Sequence, residues 1–215
     1  MVQLNSINDA YEYFFEIGDR DHAHSLRELA KECSSVFELG VRGMNSCSFI
    51  LKGLTENRSP SKFYTGIDFT PPSADILNAM KLWAENEGIG FQFMQANDLD
   101  IHSISTVDLL HIDCYHTYRH LTHELETFSK FTRKYILVHD TNQPYGFKDE
   151  DTIAEENPVI YKRNLPNNTR YASWIDREKQ GLWAAIEDFL LRHNEWSLMK
   201  RIAEGTGLTV LKRIG

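Results

Sequence analysis

Two short acidic stretches hold the residues of this chain that are best suited to chemistry. Asp113-Cys-Tyr-His116 follows the apolar run 107–112, and the stretch that begins at His139 follows the apolar run 135–138. Both runs have the length and composition of buried strands. In an open parallel sheet, ligands bind beyond the carboxyl ends of the strands. Carboxylates and imidazoles that meet there form either an oxygen and nitrogen site for a divalent metal or a proton-transfer centre.

Alternating strand and helix patterns predict the sheet that positions these stretches. Short apolar runs at 36–40, 63–69, 91–94, 107–112 and 135–139 alternate with helical patterns. Such alternation is typical of a parallel sheet with helices on both faces. Residues 181–193 predict one more helix, and 196–202 with 208–214 predict a terminal hairpin. We therefore expect an α/β fold with a doubly wound, mostly parallel seven-stranded sheet that ends in an antiparallel hairpin.

The length of 215 residues is typical of one domain, 1–215, with two additions. Residues 1–34 predict a helical extension, whose face around Tyr11 could either join copies of the chain in a homo-oligomer or cover the sheet. Residues 142–180, called the insertion below, have no regular pattern and are expected to form a lid. The insertion is rich in groups that stack on sugars or bind anions, or that make oligomer contacts: Tyr145, Tyr161, Arg163, Arg170, Tyr171 and Trp174.

The composition of the chain limits the binding partners and the cellular compartment that we expect for it. The net charge is -8 and no basic run is present, which argues against a nucleic-acid partner. Cys33, Cys47 and Cys114 are too few and too widely spaced for a disulfide framework. No apolar run approaches the roughly 20 residues that cross a bilayer, and the amino terminus lacks the pattern of a signal peptide. We expect a soluble cytoplasmic protein with no membrane partner.

A crevice for a cofactor is predicted beside the first two strands. Glu38-Leu-Gly40-Val-Arg-Gly43 lies where the first strand turns into a helix, and its glycines allow close backbone approach to a ligand. Asp68 ends the second strand, where a carboxylate accepts both hydroxyls of a ribose or is simply solvated. Asn97 and the adjacent Asp98 follow the third strand, where they either border an adenine or form an ordinary turn.

Four groups of residues share their order and spacing with one known family: Glu38-x-Gly40-x-x-Gly43-x-x-Ser46, Asp68, Asp113-x-x-His116-x-Tyr118 and His139-Asp140-Thr141. They resemble the class I S-adenosylmethionine-dependent methyltransferases. The narrower resemblance is to the branch of macrolide sugar O-methyltransferases and cephalosporin hydroxylase-like proteins, and residues 181–214 share it. One departure is Arg42, where many methyltransferases have a glycine.

The resemblance implies S-adenosylmethionine as the cofactor. It assigns the following cofactor-binding residues: Glu38 in the turn, Gly40, Gly43 and Ser46 at the methionine part, Asp68 at the ribose, and Asn97 and Asp98 beside the adenine. It also implies a divalent metal, Mg²⁺ or Mn²⁺, near the acceptor hydroxyl.

The resemblance further assigns the reacting groups. Asp113 is expected to bind the metal and His116 to act as the general base, for which an ordinary imidazole pKa of about 6.5 is suitable. His139 and Asp140 stand where the branch typically has Glu-Asp. Either His139 is a ligand and favours Mn²⁺ over Mg²⁺, or it does not ligate and Asn142 completes the shell.

The expected function is thus metal-assisted O-methylation of a sugar hydroxyl, either free, nucleotide-linked or in a glycan. A phenolic or other small acceptor is the nearest rival. A hydroxylase-like protein with another cofactor and a non-catalytic binding module are the alternatives from other classes. The remaining histidines are interpreted as structural or solvated: His111 buried in its strand, His120 and His123 on a polar helix face, and His22 and His24 in solvent.

Overall fold

One seven-stranded sheet organises the described part of the chain. The computed structural model describes residues 4–156 and 171–215. The strands are β1 (Ser35–Leu39), β2 (Lys62–Asp68), β3 (Ile89–Gln95), β4 (Val107–Ile112), β5 (Thr132–His139), β6 (Trp196–Ile202) and β7 (Leu208–Arg213). The α-helices are α1 (Ile7–Ile17), α2 (Arg20–Lys31), α3 (Asn45–Glu56), α4 (Ala74–Asn86), α5 (Tyr118–Phe128), α6 (Glu150–Glu156) and α7 (Leu182–Arg192). Short 3₁₀ turns cover Asp98–Asp100 and Ser129–Phe131.

The strand order is β3-β2-β1-β4-β5-β7-β6. The first five strands are parallel, and β7 runs antiparallel to both β5 and β6. This arrangement confirms the predicted fold class and the terminal hairpin. The chain leaves β1 toward one edge of the sheet and returns at β4, so the direction of winding reverses between these two neighbours. Ligand crevices of open α/β sheets lie at such a reversal.

Alternate residues of each strand enter two separate cores. Val36 and Leu109 pack with α1, α2, α3 and α4 on one face. Phe37 and Leu110 pack with α5 and α7 on the other face. The period of two follows from the pleat of a strand. Both faces are covered, which explains why the central strands are almost entirely apolar.

The described part of the insertion packs against the start of α5. Asp149 Oδ1 accepts hydrogen bonds from the backbone nitrogens of Tyr118 and Gly181, each at 2.7 Å. The backbone nitrogen of Glu150 donates to the carbonyl of His116 at 2.8 Å. These bonds hold residues 142–156 over the carboxyl end of β4. Tyr161, Arg163 and Arg170, which were predicted to contact either substrate or another copy of the chain, lie outside the described residues.

Among the helices in the two described ranges, none combines the length and the apolar character that crossing a bilayer requires.

Candidate functional site

The two acidic stretches meet at the carboxyl ends of β4 and β5. His116 Nε2 lies 3.0 Å from Asp140 Oδ2 and 3.4 Å from Asp113 Oδ1. His139 Nδ1 lies 3.5 Å from Asp113 Oδ2 and 3.5 Å from Asp140 Oδ1. These four residues are called the reaction centre below. Asp140 has a φ of 58°, a left-handed conformation that costs free energy in residues other than glycine and recurs at functional sites.

Three residues of the reaction centre have the arrangement of a metal site. Asp113, His139 and Asp140 each offer a ligand atom, and these atoms lie within 4.8 Å of one another. His139 Nδ1 is buried and has no hydrogen-bond partner among the described residues. Two carboxylates and an imidazole suit a divalent ion such as Mn²⁺. The donor set therefore fits the metal that the resemblance implies.

Asn142, the alternative ligand, contacts the terminal hairpin through its amide nitrogen. Its amide nitrogen donates to the carbonyl of Ala203 in the turn between β6 and β7. A carbon added at Gly207 would lie 2.6 Å from Asn142 Cβ, so the two segments are in close contact. These contacts make Asn142 an anchor for the hairpin.

The insertion holds His116 in place. His116 Nδ1 lies 2.9 Å from Glu150 Oε2, and the ring of Tyr145 stacks on the imidazole with centroids 4.5 Å apart. With Nδ1 held by a carboxylate, Nε2 points toward Asp113 and Asp140. Sequence reasoning missed Glu150, because no local pattern connects it with a histidine 34 positions away.

Electrostatics within the reaction centre are strongly coupled. Burial lowers the pKa of His116, but the contacts with Asp113, Asp140 and Glu150 outweigh it and raise that pKa well above the ordinary value. Burial raises the pKa of Asp113, but the neighbouring imidazoles of His116 and His139 outweigh it and hold that pKa well below the ordinary value. Burial also lowers the pKa of His139, but contacts with Asp113 and Asp140 outweigh it and raise that pKa above the ordinary value. Without a metal, the carboxylates therefore favour the charged form of both imidazoles.

These shifts have opposite consequences for stability. Since folding raises the pKa of His116, its contribution is complete below about pH 6.5, the ordinary pKa, and is lost as pH rises through the higher folded pKa. Since folding lowers the pKa of Asp113, its contribution is present above about pH 3.8 and is lost as pH falls through the folded pKa. The ionic cluster stabilises the fold most between these two limits.

We expect NMR titration of the metal-stripped protein to show His116 with a midpoint above pH 6.5. His22 is an internal reference, because burial, together with the charges of His139 and His111, lowers its pKa well below the ordinary value. Asp140→Asn removes one carboxylate and should lower the midpoint of His116 while that of His22 stays below pH 6.5. A His116 midpoint at or below pH 6.5 in the parent protein would contradict this assignment.

A buried polar chain lies beneath the reaction centre. His22 of α2 stacks on His139 with centroids 4.0 Å apart, and its Nε2 lies 3.3 Å from His111 Nε2. His111 Nδ1 is in turn 3.0 Å from Glu38 Oε1, and the Tyr64 hydroxyl donates to Glu38 Oε2. The predicted solvation of His22 is wrong, because α2 packs this face of the helix against the sheet and leaves the residue 7% exposed. His24 on the same helix is exposed, as predicted.

Glu38 belongs to this chain and is completely buried. Both of its carboxylate oxygens face Tyr64 and His111 across neighbouring strands. Its side chain therefore points into the core beneath α2 and α3, not into the crevice where the predicted cofactor contact would be.

Gly40 allows the turn after β1 to approach the end of β4. Its φ is 82°, and an added carbon would lie 2.1 Å from the carbonyl oxygen of Asp113. The close approach that was predicted toward a ligand is thus made toward the backbone of the reaction centre. An added carbon at Gly43 would lie 3.4 Å from Asn45 Oδ1, and Ser46 lies in the first turn of α3. Arg42, at the position of the missing glycine, has a left-handed φ of 39°.

Asp68 lies beside this turn at the end of β2. Its Oδ2 accepts from the backbone nitrogen of Arg42 and its Oδ1 from that of Thr70, each at 2.8 Å. A carboxylate has about four acceptor positions, so two remain for the hydroxyls of a ribose. The position is consistent with the predicted cofactor contact and adds a second role, which is to hold the turn.

The pair after β3 points in two directions. Asn97 Oδ1 accepts from the backbone nitrogen of Leu99 at 3.2 Å and caps the 3₁₀ turn. Asp98 turns inward, and its Oδ2 lies 2.8 Å from His120 Nε2. The predicted polar helix face at His120 is wrong, because the residue is 4% exposed and faces Asp98 across the sheet edge.

The described aromatic residues of the insertion have different locations. Tyr145 lies at the reaction centre, and the Tyr171 hydroxyl lies 3.0 Å from His120 Nδ1. Trp174 lies near Arg192, the last residue of α7, whereas Leu182 at the start of that helix lines the cavity beside the reaction centre. Ten helical residues span about 15 Å, so Trp174 is remote from the site.

Comparison with known proteins identifies the fold. No protein-family model matches the chain, and no curated protein matches it significantly. A solved structure from Corynebacterium glutamicum has a TM-score of 0.57 at 16% identity, over 100% of this chain and 92% of the other. A Podospora anserina methyltransferase with S-adenosylhomocysteine bound has a TM-score of 0.56 at 11% identity, over 99% and 89%.

The O-methyltransferase TomG of Streptomyces achromogenes is similar to the same degree. It was solved in complex with S-adenosylmethionine, and it has a TM-score of 0.54 at 12% identity, over 100% of this chain and 92% of its own. At these identities the likeness concerns the fold alone. The chain has the Rossmann-like fold of the class I methyltransferases, with the antiparallel strands at its carboxyl end.

Proposed function

We propose that this protein is an S-adenosylmethionine-dependent O-methyltransferase assisted by a divalent metal. The observation that carries the proposal is the convergence of Asp113, His116 and Asp140 at the sheet edge where Asp68 borders the turn after β1. Two of the solved structures with this fold contain the methyl donor or its product. A base and a metal-binding carboxylate pair beside a cofactor crevice are the parts that methylation of a hydroxyl requires.

His116 is the proposed general base. Glu150 holds Nδ1 of His116, which leaves Nε2 to take the proton from the hydroxyl of the methyl acceptor. S-adenosylmethionine would supply the methyl group, and a divalent ion held by Asp113, His139 and Asp140 would lower the pKa of the acceptor hydroxyl. Asp113 and Asp140, two of the three carboxylates that raise the pKa of His116, are among those ligands. Offsetting their charge would lower that pKa and favour the neutral, proton-accepting form of His116.

A sugar or glycan hydroxyl is the proposed acceptor. The support is the resemblance of the Asp113-x-x-His116 spacing and of residues 181–214 to the sugar O-methyltransferases, together with the polar character of the reaction centre. Tyr145 lies at the site, but its ring already stacks on His116. Binding of the sugar is thus expected to depend on polar groups and on the part of the insertion outside the described residues.

The test is calorimetric titration with S-adenosylmethionine and S-adenosylhomocysteine, with and without Mg²⁺ or Mn²⁺. It is followed by transfer of a labelled methyl group to panels of sugars, glycans and phenols. We expect binding of both nucleosides and labelling in the sugar panel that EDTA removes. Labelling confined to phenols would show that the acceptor is a phenol and not a sugar. Absence of cofactor binding under every metal condition would contradict the proposal as a whole.

Asp68→Ala is expected to weaken S-adenosylmethionine binding at least about tenfold, since each hydrogen bond to a charged acceptor contributes about 1.5–3 kcal/mol. Asp75→Ala is the matched control, because it removes the same charge from an exposed position at the start of α4. Thermal unfolding of both variants measures separately the loss of stability that follows from removing the hydrogen bond that the Arg42 nitrogen donates to Asp68. An unchanged affinity in Asp68→Ala would exclude the ribose contact.

A further inference from the structure

A second cluster of ligating side chains adjoins the reaction centre on the side of α5. Asp98, Cys114, His120 and Glu124 each offer one ligand atom, and these atoms lie within 4.8 Å of one another. Asp98 is in the 3₁₀ turn after β3, and Cys114 is in the loop after β4. His120 and Glu124 are four positions apart on α5 and therefore share one helix face. These four residues are called the second cluster below.

Four polar atoms of the second cluster are buried without an aligned hydrogen bond in the described part of the chain: Asp98 Oδ2, His120 Nε2 and both carboxylate oxygens of Glu124. Glu124 is 1% exposed, and within the described ranges neither of its carboxylate oxygens has a partner. His120 Nε2 and Asp98 Oδ2 are 2.8 Å apart, yet neither forms an aligned hydrogen bond. More than nine in ten buried polar groups in proteins have a partner. The carboxylate of Glu124, buried without a hydrogen bond to a described residue and next to the close pair of Asp98 and His120, is the arrangement that a bound cation explains.

We propose that the second cluster is a structural zinc site. A thiolate and an imidazole favour zinc over Mg²⁺, and four protein ligands make a closed tetrahedral site. Bonds of about 2.0–2.3 Å place tetrahedral ligand atoms roughly 3.3–3.8 Å apart. His120 Nε2 lies 3.8 Å from Glu124 Oε1 and 2.8 Å from Asp98 Oδ2, so the second pair must move apart by roughly 0.5 Å. Small movements of the side chains would therefore complete the shell.

The surroundings of His120 have the form expected for a ligand. Zinc-bound histidines almost always bond a second group through the other ring nitrogen, which fixes the tautomer. His120 Nδ1 lies 3.0 Å from the Tyr171 hydroxyl, and Nε2 points toward Asp98 and Glu124, where the metal would lie. The guanidinium of Arg119 lies 4.5 Å from the centre of the Tyr171 ring. Its positive charge would offset the excess negative charge of two carboxylates and a thiolate on one divalent ion.

A small cavity connects the second cluster with the reaction centre. It has a volume of about 10 Å³, and Asp113, Cys114, His116 and Glu124 are among its lining residues. That volume is about the size of one water molecule. Cys114 follows Asp113 directly, so a zinc ion on the thiolate would fix the loop that carries Asp113 and His116. The zinc ion would thus hold the loop after β4 against the turn after β3 and against α5.

Zinc content of the full chain is the first test. Protein purified with zinc and then dialysed against a weak chelator is expected to retain one tightly bound ion, measured by plasma mass spectrometry. Cys114→Ser, His120→Gln and Glu124→Gln should each lose that ion. Cys33→Ser and His123→Gln are matched controls, because they alter a buried cysteine and a neighbouring α5 histidine outside the cluster. Full zinc retention in His120→Gln, or no zinc in the parent protein, would overturn the proposal.

Cobalt substitution distinguishes this site from the metal site of the reaction centre. A tetrahedral Co²⁺ ion on Cys114 gives intense visible bands and a thiolate charge-transfer band, whereas the reaction centre has no thiol ligand. We expect these bands in the parent protein and in His139→Gln. A parent spectrum without the thiolate band would overturn the assignment. This test uses the parent protein, so it remains valid even if the Cys114 variant does not fold.

Discussion

His116→Gln is expected to lower the rate of methyl transfer by about 10²–10⁴-fold, the usual contribution of a general base. Glutamine keeps a polar side chain of similar reach but cannot accept the proton near neutral pH. Affinity for S-adenosylmethionine should change little, because the Asp68 crevice is a separate surface. The measurement is single-turnover transfer of labelled methyl, with calorimetry of cofactor binding on the same preparation. His24→Gln, an exposed histidine of α2, is the control.

Glu150→Gln tests the positioning of that base. Glu150 contacts His116 Nδ1 and is one cause of its raised pKa, so the variant should lower kcat about 10–100-fold and move the pH profile to lower pH. A merely structural role would leave the profile in place. The assignment of His116 fails if His116→Gln transfers methyl within twofold of the parent rate.

Gly40→Ala is expected to destabilise the fold by about 2–5 kcal/mol. A left-handed residue other than glycine costs about 1–2 kcal/mol. The added carbon would also lie 2.1 Å from the Asp113 carbonyl oxygen, an overlap that costs about 1–3 kcal/mol. Urea unfolding measures the change in the free energy of unfolding. Because the overlap displaces Asp113, the rate of methyl transfer should fall as well.

Gly88→Ala is the matched control for Gly40→Ala. Gly88 has a positive φ of 69°, but an added carbon there would meet nothing within 4 Å. It should therefore show only the backbone cost, about 1–2 kcal/mol. Equal losses of stability in the two variants would show that the turn after β1 moves away from β4 without cost.

Local patterns in the sequence were sufficient to predict the sheet and the four residues of the reaction centre. Strands whose faces are both covered are continuously apolar, so their carboxyl ends can be located by eye. Asp113 and Asp140 follow two such ends, and parallel strands bring their ends to one edge of the sheet. Their proximity in space follows from these two facts alone. The terminal hairpin was likewise predictable from two strand patterns around a glycine turn.

The partners of those residues depend on packing between distant segments. Glu150 reaches His116 because the insertion folds back on α5, and His22 reaches His139 because α2 covers the sheet. Neither helix carries a local signal for its partner, since a helix pattern specifies which face is apolar but not what it meets. The burial of Glu38 likewise could not be predicted without knowing the register between β1 and its neighbouring strands.

The second cluster shows the same division. The four-residue spacing of His120 and Glu124 places both on one face of α5, which the sequence alone determines. The prediction that His120 lies on a polar helix face was wrong, because no local pattern in α5 shows that Asp98 and Cys114 lie against that face. Sequence determined which side chains share an element and where each element ends. Only the tertiary structure decided which elements touch, because those contacts form between residues far apart in the chain.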